Sequence, residues 1–402
     1  MRLTQSIPYC TRSPSESARR ERIGLRGAVL WRRRPGSRRG ASGHALRRES
    51  AASSTHFDMT KHLKQAERLK KIVEAFPNLT VTVLGDLVAD EFVFGEISRV
   101  SREAPVLILK HRERTVLPGG AANAANNLAD LGVNVLPVGI VGDDEPGRML
   151  RKYFRHKRIP VSGVLQDRSY TTVTKTRILA GMRHTARQQV VRVDREPQQA
   201  PNPHWTRELY LAARNYAHAS DALLVSDYGY GAATPAIVNA LREKGKLGST
   251  PIILDSRYRL LQYSGITAAT PNEPEVEEAL GVRIGPEWSQ VVAAGQQIMT
   301  RLKLQSLVIT RGRDGMVAFD CMHQPVDIPI SGSDQVTDVT GAGDTVIAAF
   351  TAALAADATT EEAAQLANYA GGLVVMKRGT ATVSREELLH AIERTPPATR
   401  PH

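Results

Sequence analysis

The run VTVLGD at residues 81–86 is a β-branched apolar strand that stops abruptly on a glycine and a carboxylate. The same construction recurs along the chain. ALLV ends in Ser226 and Asp227, IIL in Asp255, ITAAT in Pro271 and Asn272, and LVIT in Arg311 and Gly312. Amphipathic helices alternate with these strands, the pattern of a mostly parallel sheet covered on both faces. In open parallel sheets ligands sit beyond the carboxyl ends of the strands. Five strand ends carrying polar residues therefore predict one extended site along that edge.

Upstream, KHLKQAERLKKIVEAF places Leu63, Ala66, Leu69, Ile72, Val73 and Phe76 at helical spacing. Two segments break the alternation, residues 91–111 and 171–195, both rich in Val, Ile and Thr with period-two stretches. They read as β-ribbons that cover the site or pair with another subunit. Val191 and Val193 alternate there with Arg192 and Asp194.

The 402 residues suffice for two or three structural units with one sizeable core. No stretch approaches the ~18 consecutive apolar residues of a membrane span. Two cysteines, Cys10 and Cys321, cannot build a disulfide framework, and a reducing, cytoplasmic setting is the simpler reading. The net charge of +12 suggests a nucleic-acid partner until it is located. Residues 1–58 hold 13 Arg, no Lys and 4 acidic residues, or +9, and the other 344 residues carry only +3. Such an Arg-, Ser- and Gly-rich segment predicts a disordered basic extension. A targeting peptide is one reading of it, and an early start codon with Met59 as the true start is the simpler one. A nucleic-acid arm is disfavoured because stacking aromatics are missing beyond Trp31.

Two glycine motifs carry chemistry. In PGGAANAANNLADLG at 118–132, Gly119 and Gly120 allow close approach of backbone to ligand, and Asn123 falls in the first turn of a helix. In DVTGAGDTVIAAF at 338–350, Gly341, Ala342 and Gly343 precede Asp344 and an apolar helix. Backbone N–H groups at the positive end of that helix suit a transferring phosphoryl group, and Asp344 suits the proton of an attacking hydroxyl. The plainer alternative makes Asp344 a helix cap.

The two motifs, in this order and some 220 residues apart, resemble those of the ribokinase-like (PfkB) sugar kinases. SREAPV and QQVVRVDRE bring the resemblance nearest to the D-glycero-β-D-manno-heptose 7-phosphate kinases, and it covers roughly residues 80–388. It implies a three-layer α/β/α sandwich with a mostly parallel central sheet and a small β-sheet lid at about 91–112 and 170–195. The kinase domain would span 59–397, with a short tail at 398–402. ATP and Mg²⁺ are the implied cofactors, a monovalent cation is left open, and a homodimer through the lids is the implied assembly. Asp344 corresponds to the general base, with Gly341, Ala342 and Gly343 as the anion hole. Asn272 and Glu275 correspond to positions that organise Mg²⁺–ATP, Glu275 touching the metal only indirectly. Thr310 and Gly312 match the nucleotide loop, and Asn368 with Gly379 the adenine pocket. Asp90, Gly119, Gly120 and Asn123 match sugar contacts, while Arg99, Lys175, Arg177 and Arg192 are candidates for the distal phosphate. The resemblance breaks at Tyr230, where lysine is usual, and at Ser256–Arg257, where the family tends to read Pro-Lys. With no second domain expected after residue 395, the reading is a stand-alone kinase. Its alternatives are a kinase for ribose, fructose or fructose 6-phosphate, or a non-catalytic sugar- or nucleotide-binding relative.

Overall fold

A helix over residues 63–75 (α1) leads into β1 (Thr80–Gly85). Here the computed structural model describes residues 63–181, 187–198, 202–243, 247–332 and 337–395. The basic extension expected at 1–58 and the tail at 398–402 lie outside the described residues. Residues Gln65–His402 form one compact unit, distinct from Met1–Lys64.

Next, β2 (Leu87–Val100) and β3 (Leu107–Gly120) form a long hairpin that runs directly into α2 (Ala121–Asp130). The chain continues through β4 (Asn134–Gly142), α3 (Glu145–His156) and β5 (Val164–Asp167) to β6 (Thr174–Gly181) and β7 (Gln188–Arg195). Then come α4 (Pro203–Ala217), β8 (Ala222–Asp227), α5 (Pro235–Glu243), β9 (Ile252–Ser256) and β10 (Ala268–Ala269). After α6 (Glu273–Leu280) and α7 (Trp288–Leu302) follow β11 (Ser306–Thr310), β12 (Met316–Asp320) and β13 (Val326–Ile328). The chain closes with α8 (Ala342–Ala355), α9 (Thr360–Val374) and α10 (Arg385–Arg394).

The central sheet has the order β13-β12-β11-β10-β9-β8-β1-β4-β5. All neighbours from β11 to β5 pair in parallel, and β12 and β13 close one edge antiparallel. Successive strand residues face opposite sides, so each strand feeds two cores. Val81, Val83, Leu224, Ile253 and Val308 join Leu128, Phe154, Phe350, Leu366 and Leu388 from α2, α3, α8, α9 and α10. Leu84, Leu223, Val225, Leu254 and Ile309 join Leu209, Val238, Val276 and Ile298 from α4 to α7. The result is the ribokinase-like three-layer architecture, with its polar strand ends along one edge.

The two β-ribbons form the small second sheet, in the order β3-β2-β6-β7. Its strands overlap the expected lid segments, but β2 starts at Leu87 and β3 reaches Gly120, so the lid grows straight out of the central sheet. Every residue of β7 is exposed, because it pairs only with β6 along one edge and nothing covers either face among the described residues. Alternation there marks an edge strand, not a buried face.

Candidate active site

At the carboxyl edge a cavity of about 530 Å³ opens between the ends of β8, β9, β10 and β11 and the start of α8. Asp227, Asp255, Asn272, Glu275, Thr310, Gly341, Gly343 and Asp344 line it. Most of the strand ends nominated by sequence thus converge on one space, as the parallel sheet requires.

The helix α8 starts on Gly341 with φ +76° and has no side-chain cap. A β-carbon at Gly341 would fall 2.5 Å from Nδ2 of Asn123, so glycine is required there twice over, by backbone and by space. The first-turn N–H groups of a helix lack intrahelical acceptors. Ala342 donates its own to Val339 O at 3.2 Å. The N–H groups of Gly343 and Asp344 follow in the same turn.

Asp344 is buried, and each carboxylate oxygen has one side-chain donor. Asn123 Nδ2 donates to Oδ2 at 2.9 Å and the Tyr228 hydroxyl to Oδ1 at 2.8 Å. Burial pushes this carboxyl up to about 7. The bonds from Asn123 and Tyr228 pull it down, the charge of Asp90 raises it, and Lys175 opposes that rise. A carboxyl poised near neutrality with both oxygens oriented suits a general base better than a helix cap.

On the lid side Asp90 is buried against Arg177, with Nη1 donating to Oδ1 at 2.5 Å. A β-carbon at Gly119 would lie 2.6 Å from Asp90 Oδ2, which accounts for the first glycine of the motif. Lys175 is also buried. Its ammonium sits 5.2 Å from the Tyr228 ring centroid and 5.9 Å from that of Tyr230. Burial and then Arg257 hold the ammonium below its usual pKa. Of the four candidates for a distal phosphate, Lys175 is buried beside Tyr228 and Arg177 is paired with Asp90. Arg99 is exposed near the end of β2, and Arg192 is spent on Asp194 at 2.9 and 3.0 Å.

On the α6 side of the cavity, Asn272 and Glu275 form the capping box of α6. Burial raises the Glu275 carboxyl despite the Asn272 N–H and Arg257, and Asp255 rises well above its usual range through burial and the Glu275 charge. Asp255 and Glu275 thus put two carboxyls side by side in the wall of the cavity. No group of three ligating side chains that could hold a metal ion occurs among the described residues.

Some predicted positions do not join the cavity wall. Gly312 lies in an exposed 3₁₀ turn beyond Thr310 at φ +55°. Asn368 on α9 is buried, with Nδ2 donating to Pro329 O at 2.7 Å. Gly379 donates its N–H to Asp338 at 2.9 Å, and a β-carbon built there would lie 3.6 Å from Phe92 Cζ. Sequence reasoning overlooked Tyr228 and the role of Asp86, although both stand in strand-end clusters.

The chain matches the pfkB family carbohydrate kinase over residues 81–387. Among curated proteins it is similar to the bifunctional protein HldE of Pelobacter propionicus, 38% identical over 311 residues, covering 77% of this chain and 62% of that protein. The bifunctional protein HldE of Geobacter metallireducens is 38% identical over 313 residues, at 78% and 62% coverage. The chain therefore spans under two thirds of the length of these relatives. Among solved structures it resembles Arabidopsis thaliana ribokinase complexed with ribose and ATP, with a TM-score of 0.60 and 18% identity over 79% of this chain and 99% of that one. It also resembles phosphofructokinase-2 from Escherichia coli in complex with substrates and products, with a TM-score of 0.63 and 18% identity over 78% and 98%. At these identities the structures speak for the fold.

Proposed function

We propose, from the premise that this chain belongs to the pfkB family of carbohydrate kinases, that it phosphorylates the anomeric O1 hydroxyl of a sugar phosphate with ATP. The acceptor we assign is D-glycero-β-D-manno-heptose 7-phosphate, giving heptose 1,7-bisphosphate for ADP-heptose synthesis in the cytoplasm. The observation that carries the reaction is the Asp344 carboxylate, held by two donors at the positive end of α8 and facing a cavity large enough for a nucleotide and a sugar. The heptose assignment draws support from the HldE relatives and from the lid motifs.

In this reading Asp344 accepts the O1 proton as the hydroxyl attacks the γ-phosphoryl group. The N–H groups of Gly343 and Asp344 donate to the phosphoryl oxygens as charge develops. Asp90 and Asn123 orient the sugar hydroxyls beneath the lid, and Lys175 and Arg177 supply the positive charge for phosphate. Asn272 and Glu275 would organise Mg²⁺–ATP, and the metal, when bound, neutralises phosphate charge. A homodimer through the lid is supported by Val190, Val191 and Val193, all exposed on the edge strand β7. No helix among the described residues is long and apolar enough to cross a membrane.

ADP release measured with heptose 7-phosphate beside ribose, fructose and fructose 6-phosphate tests the substrate. A preference of at least about tenfold in kcat/KM, or ~1.4 kcal/mol, for the heptose phosphate is expected. A preference for another sugar would overturn the heptose assignment and leave the kinase reading standing. Tyr230 is the position that makes this test sharp. Its hydroxyl bonds Glu196 at 2.9 Å where the resembling kinases carry a positive charge.

The pH profile provides a second expectation. The base must be ionised, so its activity grows as pH rises through its pKa. With Asp344 near 7, kcat/KM should fall about tenfold per pH unit on the acid side and level off above neutrality. A profile flat from pH 5.5 to 8 would remove Asp344 from that role.

A further inference from the structure

The loop after β8 is held by one carboxylate. Asp86, buried in the gap between β1 and β2, accepts the backbone N–H groups of Tyr228 at 2.9 Å, Tyr230 at 3.0 Å and Ala232 at 2.8 Å. Three such donors fix the course of residues 228–232 relative to the central sheet. A β-carbon at Gly120 would be 2.9 Å from Asp86 O and 3.4 Å from Tyr228 Cδ2, so the first glycine motif leaves just the room this ring occupies. The Lys175 ammonium lies over its ring at 5.2 Å. From that fixed seat the phenol reaches Asp344 Oδ1 at 2.8 Å. The opposite oxygen is served by Asn123, whose own amide is oriented by Asn127 Nδ2 donating to its Oδ1 at 3.2 Å.

We propose that Tyr228 is a positioning residue of the transfer reaction. Its hydroxyl fixes the rotamer of the Asp344 carboxylate and favours the ionised form, which leaves a free lone pair for the acceptor hydroxyl. The proposal rests on Asp344 as the base. Burial and the Asp344 charge push the Tyr228 phenol far above neutrality, so it remains a donor throughout the working range. The charged and titratable groups that face Asp344 are Asp90 from β2, Lys175 from β6, Asp255 from β9 and Tyr228 itself, with neutral Asn123 from α2. Only Tyr228 and Asn123 touch its oxygens among the described residues. A donor to the charged form lowers a carboxyl pKa, so loss of the phenol must raise it.

The test is Tyr228→Phe, which keeps the ring and removes one oxygen. Carboxyl ¹³C NMR of aspartate-labelled full-length protein, with the Asp344 signal assigned through Asp344→Asn, should show that carboxyl titrating about one unit higher than in the wild type. In steady state kcat should fall about tenfold, with KM for ATP within a factor of about two and the acid limb of kcat/KM moved alkaline by the same amount. An unmoved Asp344 titration and an unmoved acid limb would overturn the proposal, even if stability fell. Should Tyr228→Phe fold poorly, 3-fluorotyrosine placed at 228 is a stronger donor and should move the titration down; no movement would count equally against the role. The NMR titration needs no substrate. A wild type that phosphorylates no sugar would sink the proposed function while the Tyr228–Asp344 coupling is still judged on its own.

Discussion

Asp344→Asn leaves the protein folded and able to bind ATP but lowers turnover by about 10²–10⁴-fold, the range of a lost general base. The new amide matches the carboxylate in shape. Its oxygen can accept the Asn123 bond, and its nitrogen can donate to the Tyr228 oxygen, so neither partner is stranded. Proton acceptance is what disappears. Stability should move the other way. A carboxyl whose folded pKa lies near 7, against about 4 when unfolded, costs the fold nothing at low pH and progressively more as pH rises between those values. The amide has no such cost, so its melting temperature relative to wild type should be higher at pH 8 than at pH 4. Calorimetric ATP binding, stopped turnover and thermal unfolding across pH check the three parts together. Turnover within about threefold of wild type would remove Asp344 as the base.

Gly343→Ala is the second large effect, and its interest lies in the opposition of stability and activity. Gly343 sits in the first turn of α8 with an ordinary backbone, and an added β-carbon would meet no atom within 4 Å. Nothing in the fold needs a glycine there, and alanine in a helix is favoured by roughly 0.5–1 kcal/mol. The open space is the cavity itself. A methyl group would stand where the phosphoryl oxygens must approach the N–H groups of Gly343 and Asp344. Displacing the reacting group by even about 1 Å costs on the order of 10²-fold in rate. The variant should therefore melt at or above the wild-type temperature and lose about 10²-fold in kcat/KM for ATP. Retained activity would mean that the start of α8 is not the phosphoryl site. Gly341→Ala makes a useful contrast, because its β-carbon would strike Asn123 and disturb the fold as well as the base.

The sequence made the strand ends legible because parallel strands must deliver their last residues to one edge, whatever the loops do. It also made the two glycine motifs legible, since glycine where a helix begins is costly without a close neighbour. Asn123 and Asp344, 221 residues apart, meet in one hydrogen bond that neither motif announced. The pairing of Asp90 with Arg177 depended on the parallel register of β2 against β6, which no local pattern encodes. Tyr228 was missed because an aromatic residue after a strand usually signals packing, and only the Asp86 cage turns its hydroxyl toward the base. Asn368 and Gly379 were legible through the resemblance alone, and their hydrogen bonds run to Pro329 O and Asp338.

The central claim is transfer to an anomeric oxygen with Asp344 as base. It is tested most directly by ³¹P NMR of the product formed from Mg²⁺–ATP and heptose 7-phosphate. The account predicts a new phosphomonoester signal coupled to the anomeric proton, growing with ADP and missing with Asp344→Asn. A new phosphate coupled to any other carbon-bound proton, or the same product formed at an undiminished rate by Asp344→Asn, would contradict it.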